Sequence, residues 1–138
     1  MFIKKEEFKT IIIPEILEKL TNKDDKVLEH IIMESIDEIK GFLQAGNYDV
    51  SVFDKTGEQR NLTLLKHLKR ICTYELYKRK DHPIDEDTQN AYDETMTWLE
   101  KIALGKTAVF GVPSVEDTQE TNGHFIVFGS DDKYKTDW

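Results

Sequence analysis

The chain has 138 residues, 38% of them hydrophobic and 33% charged, which fits one domain with a modest core and a well-solvated surface. One cysteine excludes an internal disulfide and a thiolate-based zinc site and fits a reducing compartment; no apolar run is long enough to span a bilayer, and the opening MFIKKEEF lacks the apolar core of a secretory signal. The net charge of −8 is uneven, with fifteen Lys or Arg against fourteen Asp or Glu in residues 1–80 and four against thirteen in 81–138, so the acidic half repels phosphates and disfavours nucleic acid as a partner.

Taken in order, Pro14 fits only the first turn of a helix. This predicts one helical turn near residues 5–9 and a short helix over 14–20. Ile11, Ile12 and Ile13 would form a buried link between them, with an isolated strand as the alternative. Residues 24–45 carry Val27, Leu28, Ile31, Ile32, Ile36, Ile39, Phe42 and Leu43 on one helical face, capped by Asp24 or Asp25 and ended by Gly46. Gly41 inside this helix costs up to about 1 kcal/mol relative to Ala. It allows either a close backbone approach or a bend. Residues 46–60 form a connection apolar enough, at Tyr48, Val50, Val52 and Phe53, to fold back on the core.

Residues 61–105 are the organising unit, two amphipathic helices joined by a short acidic loop. The first spans 62–80, with Asn61 as N-cap and Leu62, Leu65, Leu68, Ile71, Cys72, Leu76 and Tyr77 on its inner face. Lys78, Arg79 and Lys80 suit the negative end of its dipole. The second spans 85–104, with Ala91, Tyr92, Thr95, Met96, Leu99, Ile102 and Ala103 inward and Gly105 in the left-handed position past its end. A short loop makes the pair antiparallel.

After Gly105 helical periodicity stops. Residues 106–138 hold a polar centre, the strong β-former Phe125, Ile126, Val127 and Phe128, and a polar end carrying Tyr134 and Trp138. Three outcomes stay open for this stretch: ordering in an oligomer or complex, disorder, or docking on its own core. The expected fold is therefore all-α, a bundle of about four helices over residues 1–105, followed by an extended C-terminal arm over 106–138 with room for a short β-strand.

No constellation argues for catalysis. His67 and Cys72 are five apart on one helix and face each other poorly as base and nucleophile, and Cys72 reads as a small buried filler. His82 beside Asp81, Asp85 and Asp87 lacks the ligand count of a cation site. A glycine-rich phosphate loop, an HExxH motif and a nucleophile elbow are all missing. Tyr74, Tyr77, Tyr92 and Trp98 read as core or interface groups. No enzyme activity, cofactor or metal is expected. The chemistry that remains is protein contact. The basic stretch 60–80 offers Lys69, Arg70 and Lys78, and the arm offers Phe125, Ile126, Val127, Phe128, Tyr134 and Trp138.

Three stretches together, MFIKKEEFKTIIIPEILEKLT, NYDVSVF followed by GEQRNLTLLKHLKRICTYELYKR, and YDETMTWLEKIALGK followed by GVP, resemble a family of small proteins from Mu-like bacteriophages and prophages. The marker residues are Tyr48, Asp49, Arg60, Tyr77, Tyr92, Leu99 and Gly105. The closing SDDKYKTDW is also similar, with Lys133 and Lys135 where the family usually has arginines. The resemblance implies a structural virion protein at the neck, joining head to tail. It implies a ring of copies held by extended arms, with the portal and tail-completion proteins as partners and no catalytic residues. A cut after Gly105 is then expected to leave a folded monomer that no longer joins particles. The alternative is a helical adaptor that binds a host protein through the basic helix.

Overall fold

The computed structural model describes residues 1–115. A 3-10 turn, Lys5–Thr10, leads into four helices: α1 (Pro14–Thr21), α2 (Asp25–Ala45), α3 (Leu62–Arg79) and α4 (Glu86–Ala103). Two further 3-10 turns, Val50–Asp54 and Gly57–Gln59, lie between α2 and α3. Helices α2, α3 and α4 pack on one another pairwise, and α1 closes the end formed by α2 and α3. The fold is all-α; among the described residues the one β-type contact is an isolated antiparallel bridge between Tyr48 and Ser114.

The helix limits follow from local chemistry. Asp24, Asp49, Asn61 and Asp85 each accept a backbone N–H with the side chain at the start of a helical segment. Pro14 opens α1, where its missing N–H costs nothing. Gly105 adopts the left-handed conformation, φ +75°, just past α4, as its position in the sequence requires. The α3–α4 break is sharper than a proline alone explains, because Asp81 also turns left-handed, φ 56°.

Burial refines the expected faces in four places. Of the isoleucine link only Ile12 is buried. Ile11 and Ile13 point outward, because the three residues between the 3-10 turn and α1 reverse the chain and leave one side chain facing in. Leu62 sits in the first turn of α3 and is 75% exposed, whereas Leu64 is fully buried. Helix α3 is covered by α2 on one side and α4 on the other, so its buried arc widens to include Leu64, His67 and Thr73. The close backbone approach occurs at Gly46, where a Cβ would lie 2.5 Å from Ile102 O, and not at Gly41, around which a Cβ would meet nothing.

The fourth refinement concerns the boundary at Gly105, which is not where packing ends. Val109 and Val112 are buried members of the central core. Asp49 N donates to Pro113 O at 2.9 Å, Val115 N to Asn47 O at 2.6 Å, and Val109 N to the Tyr48 hydroxyl at 3.3 Å. The segment thus lies along the 47–49 connection. Its two buried valines join the central core, and that burial outweighs the lack of helical periodicity. The connection itself folds inward as its composition demands, with Val52 and Phe53 buried and the Phe53 ring set edge-on to Phe2 at 4.9 Å.

Candidate interaction surface

The polar groups with catalytic potential are tied into packing. Burial holds His67 neutral, and with Lys66 and Arg70 nearby its pKa falls to about 4. Its Nδ1 shares a 2.8 Å hydrogen bond with Thr95 Oγ1, and its ring stacks on Trp98 at 4.0 Å. The His67–Thr95 pair thus satisfies two buried polar groups across the α3–α4 interface. Burial pushes the Cys72 thiol up to about 12, so the reactive thiolate is suppressed. Tyr74 stacks on Tyr92 at 3.8 Å in the same interface. At the loop, His82 stacks on Tyr77 and Asp85 is occupied by both the N–H and the hydroxyl of Thr88. Among the described residues no group of three His, Cys, Asp or Glu is placed to hold a metal ion, and no helix is long and apolar enough to cross a membrane.

Arg60 is the principal cross-chain clamp. Its guanidinium makes a two-pronged pair with Glu7, at 2.7 and 2.5 Å, and also donates to Phe2 O and Gly57 O. The bond from Arg60 is the main reason that the Glu7 carboxyl is held down at about 2. This pair fixes the N-terminal segment against the start of α3.

The predicted basic contacts separate into two groups. Lys69 and Arg70 lie on one half-buried patch of α3, where Lys69 Nζ donates to Thr10 Oγ1 and Arg70 sits 3.4 Å from Glu94. Lys78 is exposed at the far end of the helix, roughly 12 Å further along at 1.5 Å per residue. The neighbouring Arg79 and Lys80 hold α1, donating to Leu20 O and Asn22 Oδ1. Phe125, Ile126, Val127, Phe128, Tyr134 and Trp138 lie outside the described residues.

An apolar feature beside Lys69 and Arg70 goes beyond that expectation. Phe110 is 94% exposed, the most exposed large apolar side chain among the described residues. It borders one shallow groove together with Leu62, and Leu62 borders a second with Ile11, Lys66, Lys69 and Arg70. The turn carrying Phe110 is held firmly. Val109 and Val112 are buried on either side of it, Asn61 Nδ2 donates to Phe110 O at 2.8 Å, and Gly111 takes φ +84°. Asn61 therefore caps α3 with its oxygen and grips the turn with its nitrogen. A legible sign was present in VFGV, where two valines flank a phenylalanine and a glycine, a pattern that alternates in and out around a turn.

No curated protein and no solved structure matches the chain. The family model described as Bacteriophage Mu, Gp36 matches residues 2–128, which takes in the N-terminal segment, the four helices, the 106–115 turn and the apolar run at 125–128. The markers Tyr48, Asp49 and Arg60 lie in that span, at the points where the connection is bonded to distant segments. On a match of this extent, the chain belongs to the bacteriophage Mu Gp36 family.

Proposed function

We propose that this protein is a structural, non-catalytic subunit of a Mu-like phage particle: a head–tail connector at the neck that assembles with copies of itself and meets the portal and tail-completion proteins. The observation that carries the reading is where the family match ends. It runs to residue 128 and so takes in the apolar run Phe125 to Phe128. The matched unit therefore includes a strongly apolar run, and such a run in a virion component is suited to gripping a neighbour. The burial of His67 and Cys72 supports a role in contact and not in turnover. The adaptor alternative has less support, because Lys78 lies apart from Lys69 and Arg70 along α3, and the neighbouring Arg79 and Lys80 hold α1.

The test is a cut after Val115 in place of Gly105, since a cut at 105 would remove Val109 and Val112 from the core. The 1–115 chain should keep its far-UV circular dichroism and a cooperative melt. It should then fail to enter particles when supplied in place of the full chain. Incorporation at full-length levels would overturn the proposal.

A further inference from the structure

We propose that the surface formed by Phe110, Leu62 and Ile11, rimmed by Lys66, Lys69 and Arg70, is the receptor for residues 116–138 of a neighbouring copy. This rests on the assembly reading above and names the surface that reading leaves open. Phe110, Leu62 and Ile11 are 94%, 75% and 41% exposed and border two grooves that meet at Leu62. Scattered apolar side chains need no explanation, but three lining adjoining grooves beside a cationic rim form a contact surface. Its central aromatic is preorganised. The turn is anchored by two buried valines and by Asn61, so little chain entropy is lost when Phe110 is engaged. An aromatic side chain held this way, next to an aliphatic partner, has the makings of an energetic anchor.

The occupant is chosen by complementarity. Residues 116–138 contain six Asp or Glu against two Lys, a net of −4, and one apolar block, Phe125 to Phe128. A segment with an apolar centre and acidic flanks matches an apolar centre with a basic rim in both respects. A linker of nine residues, 116–124, can span at most roughly 30 Å.

A fluorescently labelled peptide of residues 116–138 should bind the full-length protein saturably, and more weakly as salt is raised. Phe110→Asp, at a side chain already in solvent, should lower the affinity at least tenfold without changing the melt. The single reversal Lys66→Glu, at an exposed rim residue, should weaken binding as well and reduce its salt dependence. A peptide with serines at 125–128 should not bind. Absence of saturable binding overturns this receptor, whether because each copy fills its own groove or because the segment goes elsewhere. Equal binding to the Phe110→Asp protein overturns it as well. The assembly reading is judged separately, by whether the 1–115 chain enters particles. A silent peptide together with an excluded 1–115 chain would sink the receptor alone.

Discussion

The same substitution made twice in one helix should act with opposite signs. Gly41 and Gly46 lie five residues apart, one inside α2 and one at its end, and neither has a positive φ. At Gly41 an added methyl meets nothing within 4 Å. Gly41→Ala should therefore stabilise by about 0.5–1 kcal/mol, because alanine loses less backbone freedom on folding into a helix. At Gly46 the methyl would sit 2.5 Å from Ile102 O and 3.2 Å from Ile102 C. These are backbone atoms of α4 and cannot swing aside. Ile102 O also accepts Gly105 N at 3.0 Å in the turn that closes α4, and the Ile102 side chain is fully buried. Relief requires the end of α4 to shift as a body, so Gly46→Ala should cost about 1–3 kcal/mol, the range for overpacking a filled interior. Urea unfolding followed by circular dichroism reads both variants against the parent. At a few degrees per kcal/mol, the two midpoints should lie roughly 5–15 °C apart in a thermal scan. A Gly46→Ala protein within about 0.5 kcal/mol of the parent would refute the close approach of α2 and α4.

Two further outcomes concern ionisation. Arg60→Met should destabilise by about 2–3 kcal/mol, since it leaves Phe2 O without its donor and Glu7 with the Lys4 N–H alone; a cost under about 0.5 kcal/mol in urea would show that the clamp contributes nothing. His67 has a folded pKa of about 4, below its ordinary 6.5, so the unfolded chain binds the extra proton. Its contribution is complete above pH 6.5 and is lost as pH falls toward 4, by at most about 3 kcal/mol. Glu7 is depressed from 4.5 to about 2, so its share persists to pH 4.5 and is lost only below that. The profile of unfolding free energy against pH should therefore decline in two limbs. His67→Gln should flatten the upper limb, and Glu7→Gln the lower; a profile of the His67 variant parallel to that of the parent between pH 6.5 and 4 would exclude the His67 assignment.

What the sequence disclosed and what it hid divide along contact range. Helix starts at Asp24, Asn61 and Asp85 and the left-handed Gly105 were legible because a cap answers to residues within one turn. The core of α2 was legible because one face dominates its pattern. Leu62 reads as inward from its spacing and Leu64 goes unassigned, because α3 is covered from two sides and periodicity along one helix cannot say how many neighbours it has. The role of Gly46 depends on Ile102, and that of Arg60 on Glu7, across 53 positions; no local pattern encodes either. Residues 106–115 were read as the start of an arm because they lack helical period. Yet a segment without period is what a groove beside a non-helical connection accepts, and the Tyr48 hydroxyl, the Asp49 amide and the Asn61 side chain hold it there.

The same long-range bonds explain why a local sign such as VFGV does not by itself assemble the surface around Phe110. Phe110 belongs to a stretch that periodicity could not place, Leu62 was assigned to the core, and Ile11 to a buried link. With Val109 and Val112 turned inward, Phe110, which shares the turn between them with Gly111, faces out, and the Asn61 bond holds that turn beside the first turn of α3. Contact surfaces of this kind arise where a chain finishes its own core with a segment from far along the sequence. The outward side chains of that segment are positioned as rigidly as the inward ones, and they are therefore the first places to look for what the next copy holds.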